Sequence, residues 1–181
     1  MSAIYLARHG ETEANAEGRV QGWLDPPLNE RGRAQARLLA TEARPIGLHA
    51  LYTSHLLRAR QTAEIVGEAV GLEPRVDERF AESRRGDWEG RLLRDIERQD
   101  PDGWAAWQRA GARFRFPGGE SLGEHAARVQ AALSDVAAGP LPALVVCHGG
   151  SIRCALAARR ADGLDGFSSI AVPNASLRLL S

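Results

Sequence analysis

The chain opens on a short apolar run, residues 3–7, that stops at Arg8-His9-Gly10. A few apolar positions bounded by polar residues and glycine read as a buried strand. The pattern returns at 48–53 and 143–147, and the last run is apolar throughout, as a central strand covered on both faces must be. Between these strands the apolar positions follow a helical period. Asn29, after the Pro26-Pro27 turn, stands where an N-cap belongs and predicts a helix over 30–44. A second helix is expected over 55–70, stopped by Gly71, with a short strand near 75–76. Ser121-Leu122-Gly123-Glu124 has the spacing of a capping box and predicts a helix to about 138. Residues 151–160 give the next helix, and 169–172 with 176–180 are expected to pair as the last two strands.

Alternating strands and helices predict an α/β fold, a three-layer α/β/α sandwich on a mostly parallel sheet. The rhythm breaks over residues 82–119. Two short helical runs, 92–99 and 104–110, flank Asp100-Pro101 and carry two tryptophans, and Pro117-Gly118-Gly119 closes the segment. This predicts a small cap over one edge of the sheet. With 181 residues and no repeat or linker, a single domain over 1–181 is expected.

Hydrophobic residues make up 44% and charged residues 25%, as in ordinary soluble proteins. The 23 basic and 23 acidic residues cancel, which argues against nucleic acid or a membrane surface as partner. Every basic residue is arginine. The chain lacks an apolar run of bilayer length or a signal-like start, so a cytoplasmic protein is expected. Cys147 and Cys154 fit reduced core packing better than a disulfide.

Candidate chemistry collects where strands end. Arg8-His9-Gly10 follows the first, Leu57-Arg58 the second, and His148-Gly149-Gly150 the central one. In a parallel sheet those carboxyl ends share one side, where ligands bind. Two arginines and two histidines in one cavity call for an anion, and a phosphate dianion satisfies them. Gly149 and Gly150, opening a helix, add backbone N–H groups and its positive end. A neutral imidazole beside a guanidinium is suited to attack phosphorus. The spacings match no metal motif, and this chemistry needs neither metal nor cofactor.

Arg8-His9-Gly10-Glu11-Thr12, the run from Leu57 to Ala63, and His148-Gly149 resemble the histidine phosphatase superfamily, in its phosphoglycerate mutase-like branch. Gly22-Trp23-Leu24-Asp25, Leu28 to Gly32, Glu82 to Gly90 and Pro117 to Ser121 extend the resemblance, in order, along nearly the whole chain. The resemblance implies that His9 is phosphorylated while Arg8, Arg58 and His148 hold the transferred group, with Asn15 as a further phosphate contact. It places the proton donor at Glu82, with Asp87 and Glu89 close by in the sequence. An alkoxide leaves poorly, so the donor carboxyl is expected to be protonated near neutral pH. Arg19, Gln21, Gly22 and Trp23 are expected to form one wall of the pocket, and Arg84 and Arg85 another. Arg113 and Arg115 fit either the pocket or a solvated loop. His49, His55 and His125 read as surface or packing residues, and Trp104 and Trp107 as cap packing.

The family divides into mutases, which return the phosphoryl group to substrate, and phosphatases, which pass it to water. Its cofactor-dependent mutases are longer, with a larger cap and a C-terminal tail at the site. Here the cap is compact and the chain stops after the last predicted strand. A phosphatase acting on a small phosphorylated metabolite is therefore expected. Alpha-ribazole phosphate, phosphosugars and phosphoglycerates are all compatible. The alternatives are a phosphoglycerate mutase and a phosphohistidine carrier module that would not need Glu82. Relatives include dimers, so a homodimer is compatible.

Overall fold

The wholly apolar run becomes the middle of a five-stranded sheet in a computed structural model describing residues 3–109 and 111–180. The strands are β1 Ile4–Arg8, β2 Ala50–Thr53, β3 Arg75–Val76, β4 Ala143–Cys147 and β5 Leu177–Leu180, in the order β3-β2-β4-β1-β5. Only β5 runs antiparallel, pairing Ala7 with Leu177 and Ile4 with Leu180. The helices are α1 Glu13–Ala16, α2 Glu30–Ala43, α3 Leu57–Val70, α4 Leu93–Gln99, α5 Pro101–Arg109, α6 Leu122–Ala137 and α7 Gly149–Ala157.

The two-residue period of the strands sorts their side chains into two layers. Leu6 and Val145 pack with Val129, Leu133 and Ile152 of α6 and α7. Ala7, Leu144 and Val146 pack on the other face against Leu39, Ala43, Ala63 and Val66 of α2 and α3. A third cluster builds the cap, where Trp88, Ile96, Phe116 and Phe167 are buried beside Trp104 and Trp107. The expected α/β/α sandwich is therefore what forms. Both cysteines are buried and unpaired. No helix among the described residues is long and apolar enough to cross a membrane.

Several boundaries differ from expectation. Residues 169–172 are not a strand: Ser169 closes a 3-10 turn, Gly163–Ser169, and the next three carbonyls go to arginines. Ile170 O accepts from Arg153 Nε at 2.8 Å, Ala171 O from Arg178 Nη2 at 3.3 Å, and Val172 O from Arg8 Nη1 at 2.7 Å. With those acceptors taken and Pro173 lacking a donor, β5 pairs with β1 instead. Helix α3 starts at Leu57 because Ser54 Oγ and Asp25 Oδ1 take the N–H groups of Leu56 and Leu57. Helix α2 stops at Ala43, where Arg44-Pro45-Ile46 tighten into a 3-10 turn. In the cap, Asp100 caps Gly103 N–H and Pro101 takes the first helical position, where its missing donor costs nothing. The last residue of that expected run, Ala110, lies outside the described residues.

Candidate active site

Strand β1 delivers His9 to the carboxyl edge of the sheet. His9 N–H donates to Cys147 O at 3.0 Å, and its own carbonyl accepts from Ala175 N and Asn174 Nδ2, both at 3.1 Å. The next residue must be glycine for space, because a Cβ on Gly10 would collide with the carbonyl of Gly32 in the first turn of α2. The buried His9 ring donates Nδ1–H to Gly10 O at 2.6 Å, which leaves the lone pair on Nε2. Arg58 Nε donates to that nitrogen at 3.3 Å. Burial, with Arg58 and Arg8 adding to it, pushes the His9 pKa well below 6.5, so the ring is neutral and nucleophilic.

Arg58 enters from the first turn of α3 and is 1% exposed. Its Nη1 and Nη2 donate to Leu24 O and Gly22 O at 2.7 and 2.8 Å, which fixes the fork while Nε faces His9. Arg8 is braced through Nη1, but its buried Nε has no partner among the described residues. Burial lowers both guanidinium pKa values to about 10, so both stay charged at neutral pH. His148 precedes α7 with its ring 5.2 Å from that of His9 and its Nε2 2.8 Å from Ser54 Oγ. Its buried Nδ1 also lacks a partner among the described residues. Orphaned polar atoms of this kind are rare in folded proteins, and a phosphate oxygen would satisfy Arg8 Nε.

Glu82 closes the cluster. Its Oε2 accepts Gly150 N–H at 3.0 Å, its Oε1 accepts Ser83 N–H at 2.9 Å, and Arg85 Nη2 stands 3.9 Å away. Burial pushes this carboxyl up, but Arg85, His125, His148 and the Gly150 N–H outweigh it and hold the pKa well below 4.5. The expectation of a protonated donor near neutral pH is therefore corrected for the empty site, where Glu82 is ionised. The Arg85 guanidinium and the Gly150 N–H at a helix N-terminus, absent from a bare carboxyl-in-a-pocket picture, make the difference at neutral pH. Neither sequence neighbour takes its place. Glu89 Oε1 is engaged by Trp23 N–H and Arg85 N–H at 3.0 and 2.9 Å, and Asp87 is exposed.

Arg8, His9, Arg58 and Glu82 line a cavity of about 220 Å³, while His148 is fully buried beside His9 and does not line it. Asn15, Gln21, Gly22, Arg85 and Gly149 line it as expected, and so does Arg19. Asn15 Oδ1 accepts from Thr12 and Asn174, so the free part of its amide is the N–H donor side. Arg84 does not line the cavity, because its guanidinium stacks on the Trp23 ring at 3.8 Å. Trp23 is likewise outside, its Nε1–H donating to Glu82 O at 2.8 Å. Arg113 and Arg115 are exposed, and Arg115 pairs with Glu124 at 2.6 Å. Trp104 and Trp107 pack on Trp88 as expected, but Trp107 also reaches the cavity. His55 packs edge-on against Trp23, and His49 is exposed. His125 is a packing residue, fully buried beside Glu82. Among the described residues no cluster of His, Cys, Asp or Glu could hold a metal ion.

Arg153 lines the cavity and was missed. It stands four residues after Gly149, on the same face of α7, so a helix placed from 149 rather than 151 would have revealed it.

Three buried histidines make an acid-stability prediction. Burial lowers the His125 pKa to about 4 and holds His9 and His148 well below 6.5. Below pH 6.5 the unfolded chain binds these protons first, so the stabilisation complete above that value is lost as pH falls toward the folded values. His125 alone is expected to withdraw about 3 kcal/mol between pH 7 and pH 4. Urea titrations across this range check it, and a flat profile contradicts it.

The sheet order, the histidine at the end of β1 and the arginines converging on it define an α/β phosphoryl-transfer enzyme. More specifically, the chain belongs to the histidine phosphatase superfamily (branch 1), whose model matches residues 4–181. Among curated proteins it is 40% identical over 158 residues to "Probable phosphoglycerate mutase GpmB" of Enterobacter sp. (strain 638), covering 85% of this chain and 73% of that one. Among solved structures, the mycobacterial glucosyl-3-phosphoglycerate phosphatase complexed with VO3 matches with a TM-score of 0.89 at 32% identity, over 99% of this chain and 90% of that one. YhfR of Bacillus stearothermophilus gives a TM-score of 0.89 at 33% identity, over 98% and 89% of the two chains.

Proposed function

We propose that the protein hydrolyses a small phosphomonoester through a phosphohistidine on His9 Nε2. The observation that carries this reading is the neutral His9 ring, its lone pair facing the Arg58 Nε–H in an arginine-lined cavity. An entering phosphate dianion takes over the Arg58 Nε–H and frees that lone pair. Nε2 then bonds to phosphorus, the ester P–O bond breaks, and the leaving oxygen takes a proton from Glu82. Glu82 acquires that proton as substrate binds, since a dianion in the cavity opposes a second negative charge beside it. In the second half the carboxylate takes a proton from water as the water oxygen bonds to phosphorus. The P–Nε2 bond breaks, and inorganic phosphate leaves. Arg8 and Arg58 supply the charge stabilisation that dominates such transfers, and the neutral His148 ring packs beside His9.

The substrate class follows from charge. Five guanidinium groups line the cavity, from Arg8, Arg19, Arg58, Arg85 and Arg153, against one lining carboxylate, Glu82, and of the five Arg19 is paired with Glu17. A phosphate dianion leaves positive charge unanswered. The Arg85 side chain is 11% exposed and donates no hydrogen bond among the described residues, with Glu82 at 3.9 Å as its ionic partner, an arrangement that favours a second anionic group on the substrate. Two of the three named relatives carry phosphoglycerate, a carboxylate-bearing ester, in their names.

Hydrolysis is favoured by the phosphatase that this chain matches over nearly its whole length. The mutase reading draws on the curated relative at 40% identity. Pure protein incubated with p-nitrophenyl phosphate and with 3-phosphoglycerate, alone and with 2,3-bisphosphoglycerate, separates the two. Steady phosphate release from both esters without any partner protein is expected, which also excludes a carrier module. Isomerisation that depends on the bisphosphate and releases no phosphate would overturn the proposal.

A further inference from the structure

Gly150 has no backbone reason to be glycine. It occupies the first turn of α7 without a positive φ, where alanine would favour the helix by about 1 kcal/mol. Space is the reason. A Cβ there would overlap Glu82 Oε1, stand 3.0 Å from Glu82 Cδ and come within 3.1 Å of His125 Cε1. The carboxylate therefore lies across the bare Cα, with the buried His125 ring closing the gap on another side. Ser151 Oγ holds that ring at 3.1 Å and is itself within reach of Phe80 O and Ala81 O at 3.1 and 3.0 Å. The Gly150 N–H, which no helical carbonyl can reach in the first turn, has Glu82 Oε2 as its partner.

We infer that Gly150 is a positioning residue for Glu82: its missing side chain and its free N–H form the seat that sets the carboxyl group for proton transfer. The inference rests on the reading of Glu82 as acid and base. Substitution by alanine is expected to leave the fold intact, because the atom it meets first is the end of a flexible side chain and the His125 ring need give by only a few tenths of an ångström. It evicts the carboxylate.

The test compares wild type, Glu82→Gln, Gly150→Ala and the double variant by kcat/KM on p-nitrophenyl phosphate and on glycerol 3-phosphate. The alkyl ester needs protonation of its leaving oxygen and the aryl ester barely does. Gly150→Ala is expected to cost about 100-fold on the alkyl ester and less than about tenfold on the aryl ester. In the Glu82→Gln background it should add less than about twofold. Equal loss on both esters, no loss, or a full additive loss in the double variant overturns the seat while leaving Glu82 its role. If Glu82→Gln itself shows no difference between esters, the acid role falls and the seat falls with it. Hydrogen exchange in Glu82→Ala provides a check that does not depend on Gly150→Ala folding. Exchange at the Gly150 amide should rise at least about tenfold over wild type, and an unchanged rate overturns the inference.

Discussion

His9→Ala is expected to lower kcat/KM by about 10⁴-fold or more, with no phosphoryl group retained on the protein. The loss should be chemical, not structural. The contacts that fix the end of β1 here, from Cys147 O, Asn174 Nδ2 and Ala175 N, all go to the His9 backbone and survive the substitution. Binding of inorganic phosphate should persist within about tenfold, because Arg8 and Arg58 supply the attraction and the His9 ring is neutral in the empty site. Steady-state assays beside calorimetric phosphate titration would show this split. Residual turnover near wild type would remove the covalent route.

Arg58→Ala comes next, with an expected fall in kcat/KM of about 10³-fold. One planar group performs three tasks, facing His9 through Nε and bracing Gly22 O and Leu24 O through its two Nη atoms. Lysine cannot reproduce that fork, so Arg58→Lys should recover little of the loss. Freed carbonyls loosen the loop that carries Gln21 and Gly22, and KM should rise as kcat falls. A defect confined to KM would mean that Arg58 binds substrate but does not stabilise charge in flight. Denaturant titration should show a stability change of no more than about 2 kcal/mol.

Much of this arrangement was legible in the sequence because strand ends are chemically abrupt. An apolar run that stops at Arg8-His9-Gly10, and another at His148-Gly149-Gly150, places functional groups on one edge of a parallel sheet with no further information. Side-chain direction was less legible. Adjacent arginines diverge: Arg85 turns into the cavity above Phe116, while Arg84 turns out to stack on Trp23. Either could have entered as far as composition goes. The proton state of Glu82 was misjudged because it depends on Gly150 N–H and on Arg85, contacts that tertiary packing creates. Residues 169–172 carry strand propensity, yet side chains of Arg8, Arg153 and Arg178 take the carbonyls of 170–172. Local pattern fixes the elements well and loses accuracy where long arginines choose among backbone acceptors.

The most direct measurement is rapid quenching into alkali, which preserves phosphohistidine, followed by mass spectrometry of the peptide containing Arg8-His9-Gly10. Within the first turnover a phosphoryl group on His9 Nε2 should appear at close to one per chain, then decay as inorganic phosphate accumulates. Phosphate released at the full catalytic rate with no adduct on His9 would contradict the account.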